Sequence, residues 1–308
     1  MGKREHELVQ LRTPDAKLDL AWRWAIQHID SASMTTNSAS HRIGRALDAL
    51  AIGDFATARG ILDWLRDQSD ESEFAAPYLW LVTRYFAATG DIGWARHVWR
   101  QVRDVLIRAR TSAALLRELA NTAESIGESA HHQELLAAAS REQNQGDPNR
   151  HLQGQFGPAA LLGRIASGRD PAWPPGSVAA FVSGLLGIEP DAARNRVGLR
   201  PSVPADWDRL EADNLRVGDG TLGLRYERVE AEHRFRVLPQ TGGVPFRVVF
   251  EPAVTGDRVS TVIIDGQAAQ LDVRRVNERW LCPVQVDLDR ERVVTIFMAS
   301  TGNQNTTK

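Results

Sequence analysis

Residues 51–65 read AIGDFATARGILDWL, and the same frame returns as ATGDIGWARHVWRQV at 88–102 and as SIGESAHHQELLAAA at 125–139. Each copy has a glycine followed by an acidic residue, and the three glycines stand 37 residues apart, at Gly53, Gly90 and Gly127. Glycine relieves the left-handed backbone that commonly ends a helix. A repeat of this length therefore predicts helical hairpins stacked side by side, in an open solenoid or a closed toroid.

The acidic residues of this repeat have a structural explanation. Asp54, Asp91 and Glu128 each come directly after the glycine, at the predicted start of the next helix. Carboxylates are favoured there because they accept hydrogen bonds from free backbone amides and interact well with the helix dipole. We therefore predict that these three acids cap helices and take no part in chemistry.

The pattern changes from helical to alternating near residue 190. Alanine and leucine recur at helical spacing up to about Gly187, whereas short alternating segments separated by turns begin at Val197. The sequence predicts an α+β multidomain protein, with a helical-hairpin (α/α) domain over residues 1–190 and a small antiparallel β-sandwich over 191–308. Helices are expected near 15–32, 38–52, 54–68, 76–89, 91–109, 112–126, 128–143, 157–167 and 175–187.

Composition excludes several classes of protein. The 308 residues carry a formal net charge of −2, so there is no basic surplus of the kind that nucleic acid binding requires. The single cysteine, Cys282, rules out a disulfide framework and a cysteine-rich zinc site. No apolar run reaches the roughly 18 residues of a membrane span, and the charged N-terminal stretch does not resemble a secretory signal. We expect a cytoplasmic protein with no cofactor, no metal and no membrane partner.

Four stretches resemble a known family. They are RTPDAKLDLAWRWAIQHID (12–30), GDFATARGILDWLRDQ (53–68), AAPYLWLVTRYFAATGDIGWARHVWRQV (75–102) and the segment from DPAWPPGS to GLRYER (170–228). Together they are similar to the six-hairpin, or (α/α)6-toroid, glycosidases, and within these to the amylo-α-1,6-glucosidase or glycogen-debranching-like group. The resemblance implies a toroid followed by a terminal β-sandwich, an oligosaccharide or polysaccharide ligand, and a ligand site at the mouth of the toroid.

The chain departs from this family where chemistry is expected. Glycoside hydrolysis uses two carboxyl groups on either side of the scissile bond. The family's aromatic-Arg-Asp-Ser motif is replaced by ASHRIG at 39–44, which has no acid, and an expected aspartate before Pro77 is Ala75. About nine helices are predicted, whereas a complete toroid has twelve. The resemblance thus implies an incomplete toroid in which catalysis is in doubt.

One loop retains features of a sugar site. DPAWPPGSVAAF, residues 170–181, places Trp173 among prolines directly before a predicted helix. Trp173 could offer a flat apolar face to a sugar ring, Ser177 could donate to a hydroxyl, and Asp170 is the nearest candidate for a catalytic acid. Each has an alternative explanation: Trp173 could fill a gap between helices, and Asp170 could begin an Asp-Pro turn.

Three functions remain open from the sequence. The first is an active glycosidase, the second a degenerate relative that binds sugar or keeps only the fold, and the third a helical-hairpin interaction scaffold. A metal site is not predicted at His131 and His132, because adjacent residues on a helix point about 100° apart. Ligand pairs on one helix face need a spacing of four.

Overall fold

The computed structural model describes residues 7–28, 39–109, 111–142, 175–242 and 246–299. Within these ranges eight helices precede most of the strands, so the predicted α+β layout is confirmed. The predicted helix at 157–167 lies outside the described residues. The helices are α1 (Ala16–His28), α2 (Ala39–Ile52), α3 (Phe55–Gln68), α4 (Ser72–Thr89), α5 (Ile92–Arg108), α6 (Ala113–Ile126), α7 (Ser129–Arg141) and α8 (Ser177–Leu186).

The three glycine junctions are left-handed helix ends, as predicted. The φ angles of Gly53, Gly90 and Gly127 are +83°, +65° and +90°. The acid that follows caps the next helix in two of three cases: Asp54 accepts the Thr57 amide and Asp91 accepts the Trp94 amide. Glu128 occupies the same position before α7 but makes no hydrogen bond from its side chain to that helix, so the capping prediction is wrong for this residue. A glutamate side chain is one methylene longer than the aspartates that cap α3 and α5.

A stack of hairpins follows from these junctions. Each helix from α2 to α7 packs on the next one, and α4 also packs on α2 and α6. Helices α2, α4 and α6 therefore form one layer, which we call the α2–α4–α6 layer, with α3, α5 and α7 on its other side. Aromatic contacts connect the two sides. The ring centroid of Tyr85 in α4 lies 6.5 Å from that of Phe55 in α3 and 4.6 Å from that of Trp94 in α5. This layering is compatible with a toroid, and closure into a ring stays a prediction.

Replacing Gly90 should destabilise the protein. A Cβ at Gly90 would lie 3.0 Å from the backbone of Ala192. The backbone of Gly90 has a φ of +65°, a conformation in which any other residue is strained. We expect Gly90→Val to lower the free energy of unfolding by about 2 kcal/mol, measured by urea denaturation.

The matched control is Gly60→Ala, because Gly60 lies within α3 and a Cβ added there would have nothing within 4 Å. That change should raise stability by roughly 0.5–1 kcal/mol through helix propensity. Equal stability of the Gly90 variant and the parent would contradict the assignment of the helix end.

The tryptophans of helices α1, α4 and α5 differ in how deeply they are buried. Trp22 is buried, and its indole nitrogen donates to the Val9 carbonyl at 3.3 Å, while Trp24 is only half-buried. The sequence predicts that Trp22, Trp80 and Trp99 lie in the core, and that Trp80 is among the more buried; this is wrong for Trp80, which is only half-buried where it packs against the core. Trp99 is buried, as predicted, and its ring contacts His131.

Antiparallel strands dominate the second half, as predicted. After β1 (Gln10–Arg12), which the sequence did not predict, the strands are β2 (Glu189–Asp191), β3 (Arg196–Leu199), β4 (Arg209–Val217), β5 (Gly220–Val229), β6 (Glu232–Thr241), β7 (Phe246–Phe250), β8 (Ala253–Thr255), β9 (Val259–Ile264), β10 (Gln267–Ala269), β11 (Arg274–Val276), β12 (Arg279–Leu281), β13 (Val284–Leu288) and β14 (Arg292–Met298). They form sheets with the orders β1-β4-β5-β6-β14-β9-β10, β13-β7-β3-β2 and β11-β12-β8.

Two details of the sheets differ from the sequence prediction. Residues 187–210, whose prolines and charges predict a surface linker, contain β2 and β3, because Val197 and Leu199 alternate into the core. Strand β3 pairs with β7 in parallel, which the long intervening chain allows. The sequence also predicts turns at GDG (218–220) and IDG (264–266), and these form the β4–β5 and β9–β10 connections. The rings of Phe235 on β6 and Phe250 on β7 lie 5.4 Å apart, and a sandwich stays a prediction.

The chain divides into two compact units. One contains the sheets and comprises Met1–Trp22, Val182–Pro190 and Asn195–Lys308, and the other contains the hairpins and comprises Arg23–Phe181 and Asp191–Arg194. The predicted division into domains 1–190 and 191–308 stays a prediction. No helix in the described ranges is both long and apolar enough to cross a membrane.

Candidate functional site

Only one of the three predicted site residues lies within the described structure. Asp170 and Trp173 fall outside the described residues. Ser177 is the first residue of α8 and is fully buried. Its suggested role as a donor to a sugar hydroxyl stays a prediction.

The start of α8 is held by a residue that sequence reasoning missed. Asp48 of α2 accepts the Gly176 amide through Oδ2 and the Ala179 amide through Oδ1, both at 2.8 Å. One turn earlier on α2, Gly44 contacts Pro175 so closely that a Cβ there would lie 2.5 Å from the Pro175 carbonyl carbon. The end of the PPGS segment is therefore fixed to α2 by a carboxylate and by a backbone approach that only glycine permits.

Burial gives Asp48 unusual acid–base behaviour. The residue is 4% exposed. Burial raises the pKa of Asp48 to about 7, against the opposing effects of the backbone amides of α8 and of Arg45. The sequence carried a signal for this site, because Asp48 interrupts an otherwise apolar run in RALDALAI. A buried acid at such a position needs a partner.

A cluster of aromatic and charged side chains lies between α4 and α6. Among the half-buried residues of α4, Pro77, Trp80, Arg84 and Ala87 share one stripe of the helix. From α6, Glu118 accepts Arg84 Nη2 at 2.8 Å. We call Trp80, Thr83, Arg84 and Glu118 the α4–α6 cluster.

The α4–α6 cluster places an aromatic ring, a hydroxyl and an ion pair next to one another. The guanidinium of Arg84 lies 5.6 Å from the Trp80 ring centroid, and Thr83 donates to the second oxygen of Glu118 at 2.9 Å. Arg84 and Glu118 stay partly exposed, with 42% and 34% of their side chains accessible. An aromatic ring, a forked donor and a carboxylate are groups of the kinds that contact the apolar face and the hydroxyls of a pyranose.

A second tryptophan in the hairpin unit is covered by an arginine. The guanidinium of Arg42 on α2 lies 3.9 Å from the Trp64 ring centroid, and Phe74 meets Trp64 edge-on at 5.7 Å. This arrangement stacks a cation on the ring face that a sugar would need. Arg84 also lies over the Trp80 ring, but at 5.6 Å from its centroid, so the Trp80 ring is the less closely covered of the two.

Each acid described on the α2–α4–α6 layer already has partners. Its carboxylates with described side chains are Asp48, Glu118 and Glu124. Asp48 holds α8, Glu118 is bound by Thr83 and Arg84, and Glu124 pairs with Arg194 at 2.8 Å. No pair of acids among these residues is left to flank a glycosidic bond.

Metal chemistry finds no support in the described ranges. They contain no group of three or more His, Cys, Asp and Glu side chains placed to hold a metal ion. His132 Nδ1 bonds the Ala120 carbonyl at 2.9 Å, whereas the His131 ring packs edge-on against Trp99. The adjacent histidines thus have separate structural roles, as the helical geometry predicted.

Comparison with known proteins identifies a fold. No family model and no curated protein matches the sequence. The structure resembles an α-L-rhamnosidase from Dictyoglumus thermophilum, with a TM-score of 0.57 and 10% identity. The match covers 94% of this chain but 50% of that enzyme, so the chain spans about half of the length of its structural neighbour. The predicted similarity to a glycosidase is confirmed at the level of the fold, while the debranching-like group stays a prediction.

Proposed function

We propose that this chain is a carbohydrate-binding protein of glycosidase-like fold that has lost hydrolytic activity. The observation that carries the proposal is the α4–α6 cluster, where a half-buried tryptophan stands beside a partly exposed Arg–Glu pair. The fold shared with a rhamnosidase supports the ligand class, and the engaged acids of the α2–α4–α6 layer support the loss of hydrolysis.

Two features argue against retained catalysis. Hydrolysis needs one carboxyl group to donate a proton and a second to act as base or nucleophile. Glu118 is committed through both oxygens to Thr83 and Arg84, and Asp48 is committed through both oxygens to α8. Asp170, which lies outside the described residues, is the remaining candidate that we propose for an acid.

The loop that precedes α8 is proposed as a second contact. Trp173 and Ser177 stand two residues to either side of Pro175, which is fixed against Gly44. Anchoring of Pro175 would reduce the entropy lost when a ring docks on Trp173. We propose this loop as a contact in addition to Trp80, Arg84 and Glu118.

The sequence resemblance and the structural neighbour suggest two different classes of oligosaccharide ligand. Sequence resemblance to debranching-like glucosidases suggests α-glucans such as maltooligosaccharides. The structural neighbour acts on α-L-rhamnosides by its name. A single aromatic contact contributes about 0.5–1.5 kcal/mol beyond area burial, so we expect dissociation constants near the millimolar range.

Calorimetric titration tests the proposal. Maltooligosaccharides and α-L-rhamnose oligosaccharides are titrated into the parent protein and into Trp80→Ala, and the same mixtures are assayed for released monosaccharide. We expect binding by the parent, a loss of about tenfold or more in Trp80→Ala from the stacking and buried area removed, and no release of sugar.

The matched control is Trp280→Ala, which removes a half-buried tryptophan of β12 in the sheet unit. It should bind sugar as the parent does. Unaltered binding by Trp80→Ala would contradict the site. Sugar release that disappears in Asp170→Ala would instead establish an active glycosidase.

A further inference from the structure

Arg84 and Glu118 form an ion pair within the α4–α6 cluster. Nη2 of Arg84 donates to Oε1 of Glu118 at 2.8 Å, and the hydroxyl of the buried Thr83 donates to Oε2 of Glu118 at 2.9 Å. The Arg84 guanidinium also lies 5.6 Å from the ring centroid of Trp80. A ligand that contacts both Trp80 and Arg84 is therefore within reach of the Glu118 carboxylate as well.

The Glu118 carboxylate is held in place from α4. Each of its oxygens is bound by a side chain of that helix, so the carboxylate cannot turn away without breaking a hydrogen bond to Thr83 or Arg84. A ligand carboxylate that took the Arg84 guanidinium would leave the charge of Glu118 without its cation. That exchange is unfavourable because both side chains of the pair are partly withdrawn from water.

We propose that Glu118 makes the α4–α6 cluster select neutral sugars and reject sugars that carry a carboxylate. This inference rests on the proposed function and deepens it, because it concerns the ligand class of the same site. A neutral hydroxyl can donate to the Glu118 carboxylate and accept from the Arg84 guanidinium. A carboxylated sugar meets the like charge of Glu118 and a guanidinium that is already paired, so the loss of its hydration is not offset.

Pairs of neutral and carboxylated oligosaccharides test this selection. Maltooligosaccharides are compared with the same chains oxidised at their primary alcohols to glucuronates, and α-L-rhamnose oligosaccharides with chains in which rhamnose alternates with galacturonate. Affinities are measured by calorimetric titration at low ionic strength, where charges are least screened. We expect the parent to bind the neutral member of a pair about tenfold more tightly than the carboxylated member.

Glu118→Gln should change the two affinities in opposite directions. The glutamine keeps the size of the side chain but removes its charge, so Arg84 is left without a counter-charge and the affinity for the carboxylated chain should rise about tenfold. The affinity for the neutral chain should fall about threefold, because an amide oxygen accepts hydrogen bonds less strongly than a carboxylate. A residue with only a structural role would not raise one affinity while lowering the other.

Glu124→Gln is the matched control, because Glu124 lies on the same helix and is also paired with an arginine, Arg194, at 2.8 Å. It changes the net charge equally and should leave both affinities as in the parent. Arg117, an exposed cation one residue before Glu118, is present in every variant and does not affect the comparison between them.

Three results would overturn the selection. The first is a parent that binds the carboxylated chain as tightly as the neutral one or more tightly, and the second is a Glu118→Gln variant whose affinity for the carboxylated chain equals that of the parent. In both cases sugar binding would still support the proposed function. The third, a parent that binds none of the oligosaccharides, would contradict the proposed function as well. If Glu118→Gln fails to fold, the comparison in the parent decides.

Discussion

Gly44→Ala should unfold at a markedly lower urea concentration than the parent, with a loss of about 3 kcal/mol in the free energy of unfolding. The added Cβ would lie 2.5 Å from the Pro175 carbonyl carbon and 2.7 Å from its oxygen. These are backbone atoms, so a rotamer change cannot relieve the overlap. The start of α8 would have to move away from α2, which would also break the hydrogen bonds to Asp48.

A control for Gly44→Ala comes from the same unit. Gly93 lies in the first turn of α5, and a Cβ there would meet only Asp91 Oδ1 at an ordinary 3.5 Å. Gly93→Ala should match or exceed the stability of the parent, by up to about 1 kcal/mol. A Gly44 variant as stable as the Gly93 variant would show that the close approach to Pro175 does not exist.

Acid should destabilise the sheet unit through His233. The imidazole is 4% exposed, and its Nδ1 lies 2.9 Å from the hydroxyl of Tyr226. Burial, and secondarily the charge of Arg228, lowers the pKa of His233 to about 4. The unfolded chain takes up this proton near its ordinary pKa of 6.5, so stability is unaffected above that pH and falls as pH decreases towards 4. The shift corresponds to about 3 kcal/mol.

The pH slope of a His233 variant isolates this contribution. Unfolding free energies of the parent, His233→Gln and the exposed-site control His97→Gln are measured by denaturant titration between pH 4 and 8. His233→Gln should be less stable than the parent at pH 8, but its free energy of unfolding should fall less between pH 8 and pH 4. The free energy of His97→Gln should fall as much as that of the parent. Parallel slopes for all three proteins would show that His233 titrates normally in the folded state.

Helix ends were the most predictable feature of the fold. Glycine at a helix end and aspartate at the next start act locally, so the repeat at Gly53, Gly90 and Gly127 could be read without tertiary information. Glu128 shows the limit of such local patterns: it lies at the predicted start of a helix, but its side chain makes no capping hydrogen bond. Strand β1 pairs with β4 across about 200 residues, a contact that no local pattern in QLR could predict.

The site was harder to predict than the fold. Motif reasoning selected the tryptophan in the proline loop, whereas the α4–α6 cluster depends on the register of two helices that meet at Thr83 and Glu118. Trp80 looked like a core residue because α4 is apolar around most of its surface. Its incomplete burial depends on which neighbouring helices cover it, which the sequence does not show.

Asp48 is hard to predict for a different reason. Glycosidase chemistry points to acids in the loops between helices, whereas Asp48 lies inside α2. Its environment is created by residues 176–179, which are distant in sequence. A polar residue in an apolar stripe is a local signal that a partner exists, but the identity of that partner is decided by tertiary structure.

The indole ¹H–¹⁵N signals of the nine tryptophans test most directly whether the α4–α6 cluster binds carbohydrate. Trp80 is assigned with Trp80→Phe, and the parent is titrated with maltooligosaccharides and α-L-rhamnose oligosaccharides while free monosaccharide is monitored in the same tube. The proposed function predicts a saturable shift of the Trp80 signal, an unmoved Trp280 signal and no sugar release. Saturating ligand that leaves the Trp80 signal unmoved would contradict it.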